Sequence, residues 1–336
     1  MVIQIDERVL NASTDVNVLS TLDSLIAKVI RGHHELHLSD ITHFRGEPFK
    51  RYAQFFEKHF KKTWQGPRLS VPARLVRIVL SEDFVDHIKN SSSETDVVRI
   101  HVENQRVSVS KADRRLDIIT LELVPRYLIE RLVIVVENNR SDKTFLNTVF
   151  RFFEGDPISD DRAKFDNGGG SSICACLEEL GGRNRAICII DGDVEIDGTV
   201  LISKQREHAK VAEVCEKLGY DLHILSKREI ENYLPDEALQ RWLEASGFRG
   251  QHPFFQLDEP HKDRVDMKKK ASSLVPQGAV PISSSSSVVT STPTATYGFC
   301  KDIWEAFIHV RSKEELERRD GLEELPELIE LVKSSL

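Results

Sequence analysis

Several things are missing from this chain, and each absence removes a class of protein. No apolar run approaches the about 18–20 residues that a membrane helix needs. The opening MVIQIDERVLN has acidic residues where a secretory leader needs a basic start and a long apolar segment, so a cytoplasmic protein without a membrane partner is expected. The five cysteines (Cys174, Cys176, Cys188, Cys215 and Cys300) are odd in number and show no paired C-x-x-C spacing. They support neither a disulfide framework nor a thiolate zinc site, and reduced, mostly buried thiols are expected. There is no G-x-x-x-x-G-K-[ST], hence no P-loop ATPase in the chain itself. There is no H-E-x-x-H either: His33, His34 and His37 in RGHHELHL alternate as in a strand of mixed exposure. A basic excess is also missing, since the net charge is −8. That argues against a general polyanion coat but leaves room for local basic surface around an acidic, metal-filled site.

What is present is an ordinary core-forming composition, 40% hydrophobic and 30% charged over 336 residues, a length that leans toward two domains. In residues 1–125 the stretches VNVLSTLDSLIAKVI and EPFKRYAQFFEKHFKKTW repeat apolar residues at helical intervals, with ELHLSDI alternating like a strand between them. The second helix is expected to bury Phe49, Tyr52, Phe56 and Phe60 with its lysines in water, rather than to stack on nucleic acid. From about residue 70 the period becomes two, and VVRIHVENQRVSVS reads as a hairpin around Asn104 and Gln105. This gives an N-terminal α+β domain over residues 1–125, whose role the sequence leaves open, with recognition or assembly as the expectation.

From Leu132 onward, buried strands at 132–136, 186–190 and DLHIL alternate with helices at about 141–153, 172–180 and about 203–218. Unbroken apolar strands between helices mark a parallel sheet covered on both faces, since no strand has a water-facing side to make polar. The segment DNGGGSS reads as a flexible loop with Ser171 or Ser172 capping the next helix, in preference to a phosphate cradle. A Rossmann-like domain over 126–262 is expected, followed by a mobile Ser/Thr/Pro-rich loop at 271–297 and an amphipathic helical segment at 298–336.

Two of the buried strands run straight into acids: LVIVV into Glu137, and AICII into Asp191 and Asp193. Ligands in such sheets sit at the carboxyl ends of the strands, so these side chains are expected to share one crevice. Clustered carboxylates need shared protons or a cation. With no Cys or His beside them, Mg²⁺ or Mn²⁺ is the natural partner, and phosphate chemistry follows.

The set Glu137 with Ser141-Asp142, then Asp191-Gly192-Asp193, then Glu231-Asn232-Tyr233 in LSKREIENYLP resembles the Toprim domain of the OLD-type (overcoming lysogenization defect) nucleases and their anti-phage relatives such as the PARIS-type effector nuclease. The resemblance covers about 132–240, and NGGGSS is similar to the glycine-bearing segment these proteins place before their second helix. It implies a Toprim-like α/β fold and a metal-dependent endonuclease. Catalysis would fall to Glu137, Asp191 and Asp193; metal binding would fall to Glu137, Asp142, Asp191, Asp193 and Glu231. DNA is the favoured substrate, with tRNA a rival. Since the family works with an ATP-binding module that this chain lacks, a separate sensor ATPase acting in trans is implied, and a homo-oligomer is compatible. The family usually has Gly directly after the first Glu. Here Asn138 stands there, a residue that tolerates left-handed backbone better than most. The family's late phosphate-contacting lysine has four candidates, Lys262, Lys268, Lys269 and Lys270.

Other readings stay open at this point. Glu137 could simply cap the helix that follows. Asp-x-Asp after a strand also opens haloacid-dehalogenase-type phosphatases, where the first Asp is a nucleophile. The chain could also be a non-catalytic scaffold of the same fold, with Asn138 marking lost chemistry. Tyr233 and Leu234 could serve only to pack, with Pro235 ending the segment.

Overall fold

The computed structural model describes residues 2–12, 15–31, 34–37, 44–64, 75–84, 99–103, 106–111, 114–169, 172–195, 197–200, 202–248, 252–268, 302–321 and 323–336. The 271–297 stretch, Gly170, Ser171 and Cys300 lie outside them. The described chain is α/β, with parallel strands flanked by helices.

The first sheet uses strands Val2–Ile5 (β1), Glu35–His37 (β2), Leu75–Val79 (β3), Arg99–Glu103 (β4), Arg106–Lys111 (β5) and Arg114–Thr120 (β6), in the order β2-β1-β3-β6-β5-β4. The four strands β2, β1, β3 and β6 run parallel, and β4 and β5 add an antiparallel hairpin in which Glu103 faces Arg106. The hairpin was legible as alternation; the short VIQI strand was not, because four residues are too few to show a period. Helices Glu7–Asn11 (α1), Val16–Ile30 (α2) and Glu47–Trp64 (α3) accompany this sheet. Asp15 caps α2 by accepting from the backbone N–H of Asn17 at 2.8 Å, and the helix buries Val18, Leu22, Leu25, Ile26 and Val29. In α3 Phe56 is fully buried and stacks with Phe49, while Tyr52 is half-buried; the Phe60 side chain lies outside what is described. His34 is buried with its Nε2 2.8 Å from the Leu128 carbonyl.

The second sheet comprises Leu132–Val136 (β7), Ala163–Asn167 (β8), Ala186–Ile190 (β9) and Asp221–Ile224 (β10), all parallel, in the order β10-β9-β7-β8. Its helices are Asn139–Glu154 (α4), Ile173–Leu180 (α5), Ile202–Leu218 (α6) and Asp236–Ala245 (α7), joined by Lys313–Asp320 (α8) and Glu324–Ser335 (α9). Every residue of β7 and β9 is buried because both faces are covered. Leu132, Ile134 and Val136 pack with α4, α7 and the C-terminal helices; Val133 and Val135 pack with α5 and α6. Ala163–Asn167 corrects the expected loop before the glycines: it is an edge strand whose outward Lys164 and Asp166 pair at 2.9 Å, and that polar half hid it in the sequence. Cys188 and Cys215 are free and buried, and Cys174 and Cys176 are free and half-buried.

Arg106 joins the two sheets. Fully buried, it donates from Nη2 to the carbonyls of Leu218 (2.6 Å) and Gly219 (3.0 Å) at the end of α6, with its guanidinium over the Tyr127 ring. A cation at a helix C-terminus meets the negative end of the helix dipole there. Among the described residues no helix is long and apolar enough to cross a membrane.

Candidate functional site

Glu137 follows β7 directly, and Asp191 follows β9, the neighbouring strand. Glu137 Oε1 accepts from the Asp191 backbone N–H at 3.1 Å, so the two strand tips are tied through the carboxylate itself. The helix cap is not Glu137 but Asn138, whose Oδ1 accepts from the N–H of Arg140 at 3.0 Å and of Ser141 at 3.5 Å. Its φ of −136° is extended backbone, so the left-handed tolerance expected of Asn138 is not used. Asp142 folds back onto the same corner: Oδ2 accepts from Asn138 N–H at 3.0 Å and Oδ1 from the Ser141 hydroxyl at 2.8 Å.

The second turn is shaped by a close backbone approach. A Cβ on Gly192 would lie 2.2 Å from the Leu225 carbonyl and 2.3 Å from that of Lys227, so only glycine lets the loop after β10 lie against this turn. Gly192 N–H donates to Lys227 O at 3.2 Å and Asp193 N–H to Arg228 O at 2.9 Å; Asp191 Oδ1 receives Ile230 N–H at 3.2 Å. Asp193 itself adopts φ +50°, in the left-handed region. Its carboxylate meets α6, where Lys204 Nζ and His208 Nε2 each stand 3.4 Å from its Oδ2.

Glu231 is fully buried on the loop after β10. Lys268 Nζ lies 3.2 Å from its Oε2 and 3.4 Å from Glu229 Oε2, while Glu231 Oε1 has no hydrogen-bond donor among the described residues. Asn232 Nδ2 ties the loop to the carbonyls of Lys262 (2.6 Å) and Val265 (3.0 Å), and Tyr233 and Leu234 are buried. Of the four lysine candidates, Lys268 faces these acids; Lys262 pairs with Asp236 and Glu259; Lys269 and Lys270 lie outside the described residues.

The acids thus fall into two groups that meet at Glu137. Asp142, Asp191 and Glu231 act on one another, with Glu229 also paired to Lys268; Asp193 stands with Lys204, Glu207 and His208. Burial pushes the carboxyl of Asp142 up to about 6 and that of Glu229 up to about 7. Part of the Asp191 surface reaches solvent, yet it sits deep among protein atoms. Burial first, then the charges of Glu137, Asp142 and Glu231, push it well above the usual range. Glu137 and Glu231 are raised as well, again chiefly by burial. Burial works against the charge of Lys268, but Glu231, Glu229 and Asp191 outweigh it and push the ammonium's pKa up.

Compared with protein-family models, curated proteins and solved structures, the chain matches none. Its chemistry has to be read from its own geometry. Among the described residues, no three His, Cys, Asp or Glu side chains already stand grouped to hold a metal ion. Sequence reasoning missed Lys204, Glu207, His208 and Glu229. The first three repeat at three- and four-residue spacing on α6, and Glu229 stands two residues before Glu231, so a face and a spacing were there to be read.

Proposed function

We propose that this chain is a Toprim-type, metal-dependent nuclease of the OLD kind, hydrolysing nucleic-acid phosphodiesters. The observation that carries the reading is the meeting of Glu137 and Asp191 at adjacent parallel strand tips, with Asp142 and the donor-poor Glu231 close enough to push the carboxyl of Asp191 up. An all-oxygen set of raised carboxylates, one with a buried oxygen lacking a donor, suits a hard divalent cation. Glu137, Asp142, Asp191 and Glu231 would hold Mg²⁺ or Mn²⁺ on one side and Glu137 with Asp193 on the other. A bound ion would neutralise phosphodiester charge and lower the pKa of an attacking water.

The chain's own groups do the rest. Glu137, open to both groups of acids, is placed to accept a proton at its Oε2, since Oε1 is engaged by Asp191 N–H. Lys268 and Lys204 bring positive charge to the two rims of the crevice, where substrate phosphates approach. DNA is the favoured substrate and tRNA the rival. A sensor ATPase acting in trans, within an anti-phage system, would supply the control that a chain without a P-loop lacks.

The test uses purified full-length protein incubated with plasmid DNA and with total RNA, with and without Mg²⁺ or Mn²⁺, alongside Glu137→Ala. Metal-dependent cleavage that disappears in the variant is the expected result. No cleavage of either substrate, including with a co-purified partner, would replace the enzyme by a scaffold. Hydrolysis of small phosphate esters alone would favour the phosphatase.

A further inference from the structure

The loop that carries Glu229 and Glu231 is gripped from two sides. Its front lies on the Asp191–Gly192–Asp193 turn through the backbone bonds at Lys227 and Arg228 and the Ile230 N–H bond to Asp191. Its back is held by the last helix. Glu324, at the start of α9 and 98 residues beyond Ser226, points its carboxylate into the loop. One oxygen receives the Ser226 N–H at 2.9 Å and lies 2.8 Å from His223 Nε2; the other receives the hydroxyls of Ser226 and Tyr233. Tyr233 is two residues past Glu231, so the carboxylate spans both ends of the acid-bearing segment. The helix that presents Glu324 is itself fixed, with Leu325 N–H donating to Asp320 Oδ2 at 3.0 Å, and Lys227 donates to the Arg319 carbonyl at 2.8 Å.

Holding a helix on a sheet needs only apolar contact, which α9 already makes through Leu325, Leu328, Ile329 and Val332. A buried carboxylate is a costly addition to such a contact and is weak evidence for stability as such. What it adds is direction, because three donors from two loop residues, Ser226 and Tyr233, converge on one rigid group together with the ring of His223 at the end of β10. We infer that Glu324 is a positioning residue that sets the loop of residues 225–233 against the Asp191–Gly192–Asp193 turn, and through it places Glu229 and Glu231. The inference rests on the proposed function only in giving those two acids a purpose. The placement itself can be measured without it.

The test is hydrogen exchange, read by mass spectrometry on the full chain, for Glu324→Gln and for the milder Tyr233→Phe, which removes one hydroxyl and keeps the ring. Amides at 190–193 and 225–232 should exchange roughly tenfold faster, as expected for one lost hydrogen bond to a charged group. Those of β7 and α4 should not change. Lys333→Ala removes pairing between α9 and Glu154 without touching the loop, and it should leave 190–193 protected. In parallel, Mn²⁺ affinity should fall about tenfold or more in the Glu324 and Tyr233 variants, the usual effect of removing support behind a ligand. Unchanged exchange in both variants overturns the inference. So does a loss of protection spread evenly over the whole chain, which would mean bulk stability alone. If the wild-type protein takes up no Mn²⁺, the metal reading falls while exchange still decides the role of Glu324.

Discussion

Adding a single methyl group at Gly192 tests how the two halves of the site are joined. Gly192 lies outside the left-handed region, so alanine meets no conformational penalty there; the cost comes from space alone. The new Cβ would stand 2.2 Å and 2.3 Å from two backbone carbonyls, atoms that cannot swing aside as a side-chain end can. Forcing them apart is overpacking, worth about 1–3 kcal/mol. Moving the loop also stretches the bonds from Gly192 N–H to Lys227 O and from Asp193 N–H to Arg228 O, at about 0.5–1.5 kcal/mol each. The total is about 2–6 kcal/mol, a large part of the stability of an ordinary domain. Gly155→Ala is the matched control: its φ of +91° penalises alanine, but nothing lies within 4 Å of the added carbon, so about 1–2 kcal/mol is expected. Urea unfolding of the two variants, compared at constant m, measures both. A Gly192→Ala cost no greater than that of Gly155→Ala would refute the close-approach argument.

Two further outcomes follow from the same geometry. Asp142 and Glu229 have folded-state pKa values raised to about 6 and about 7, so the folded protein binds more protons than the unfolded chain between about pH 4 and those values. Their contribution to stability is therefore present at low pH and lost as pH rises through that window, on the order of 3 kcal/mol each. Thermal unfolding followed from pH 4 to 8 should show Asp142→Asn removing its share of this slope, and millimolar Mg²⁺ flattening what remains; identical slopes for variant and wild type would count against the buried-acid account. For the thiols, burial pushes Cys188, Cys174 and Cys176 up, with the Cys215 hydrogen bond first among the causes at Cys188. Iodoacetamide at neutral pH should leave Cys188 and Cys215 unmodified until urea unfolds the chain, and mass spectrometry of the alkylated protein would reveal early labelling if the packing is otherwise.

The parts of this chain that could be read locally are those where one stretch carries its own reason. LVIVV and AICII are apolar throughout because both faces of each strand are covered, and the acids that end them announce a polar rim. Helices α2 to α6 show their period, and the hairpin at 99–111 shows its alternation. Where a segment is short or half polar the signal fades, as at VIQI and at AKFDN. The role of Asn138 was also misjudged from sequence, because whether a residue caps a helix or turns left-handed depends on a backbone angle that composition does not set.

By itself, then, the sequence determined a set of buried strands, the helices between them and a short roster of acids at strand ends, all consequences of burial and period within a few residues. Only the tertiary structure decided which acids face one another. It brought Lys268 to Glu231 and Lys204 with His208 to Asp193, and set Glu324 behind the loop of Glu229. Those pairings join residues far apart in the chain, and they depend on strand order, one missing Cβ at Gly192 and the angle of a turn, none of which is carried by the local pattern of apolar and polar residues.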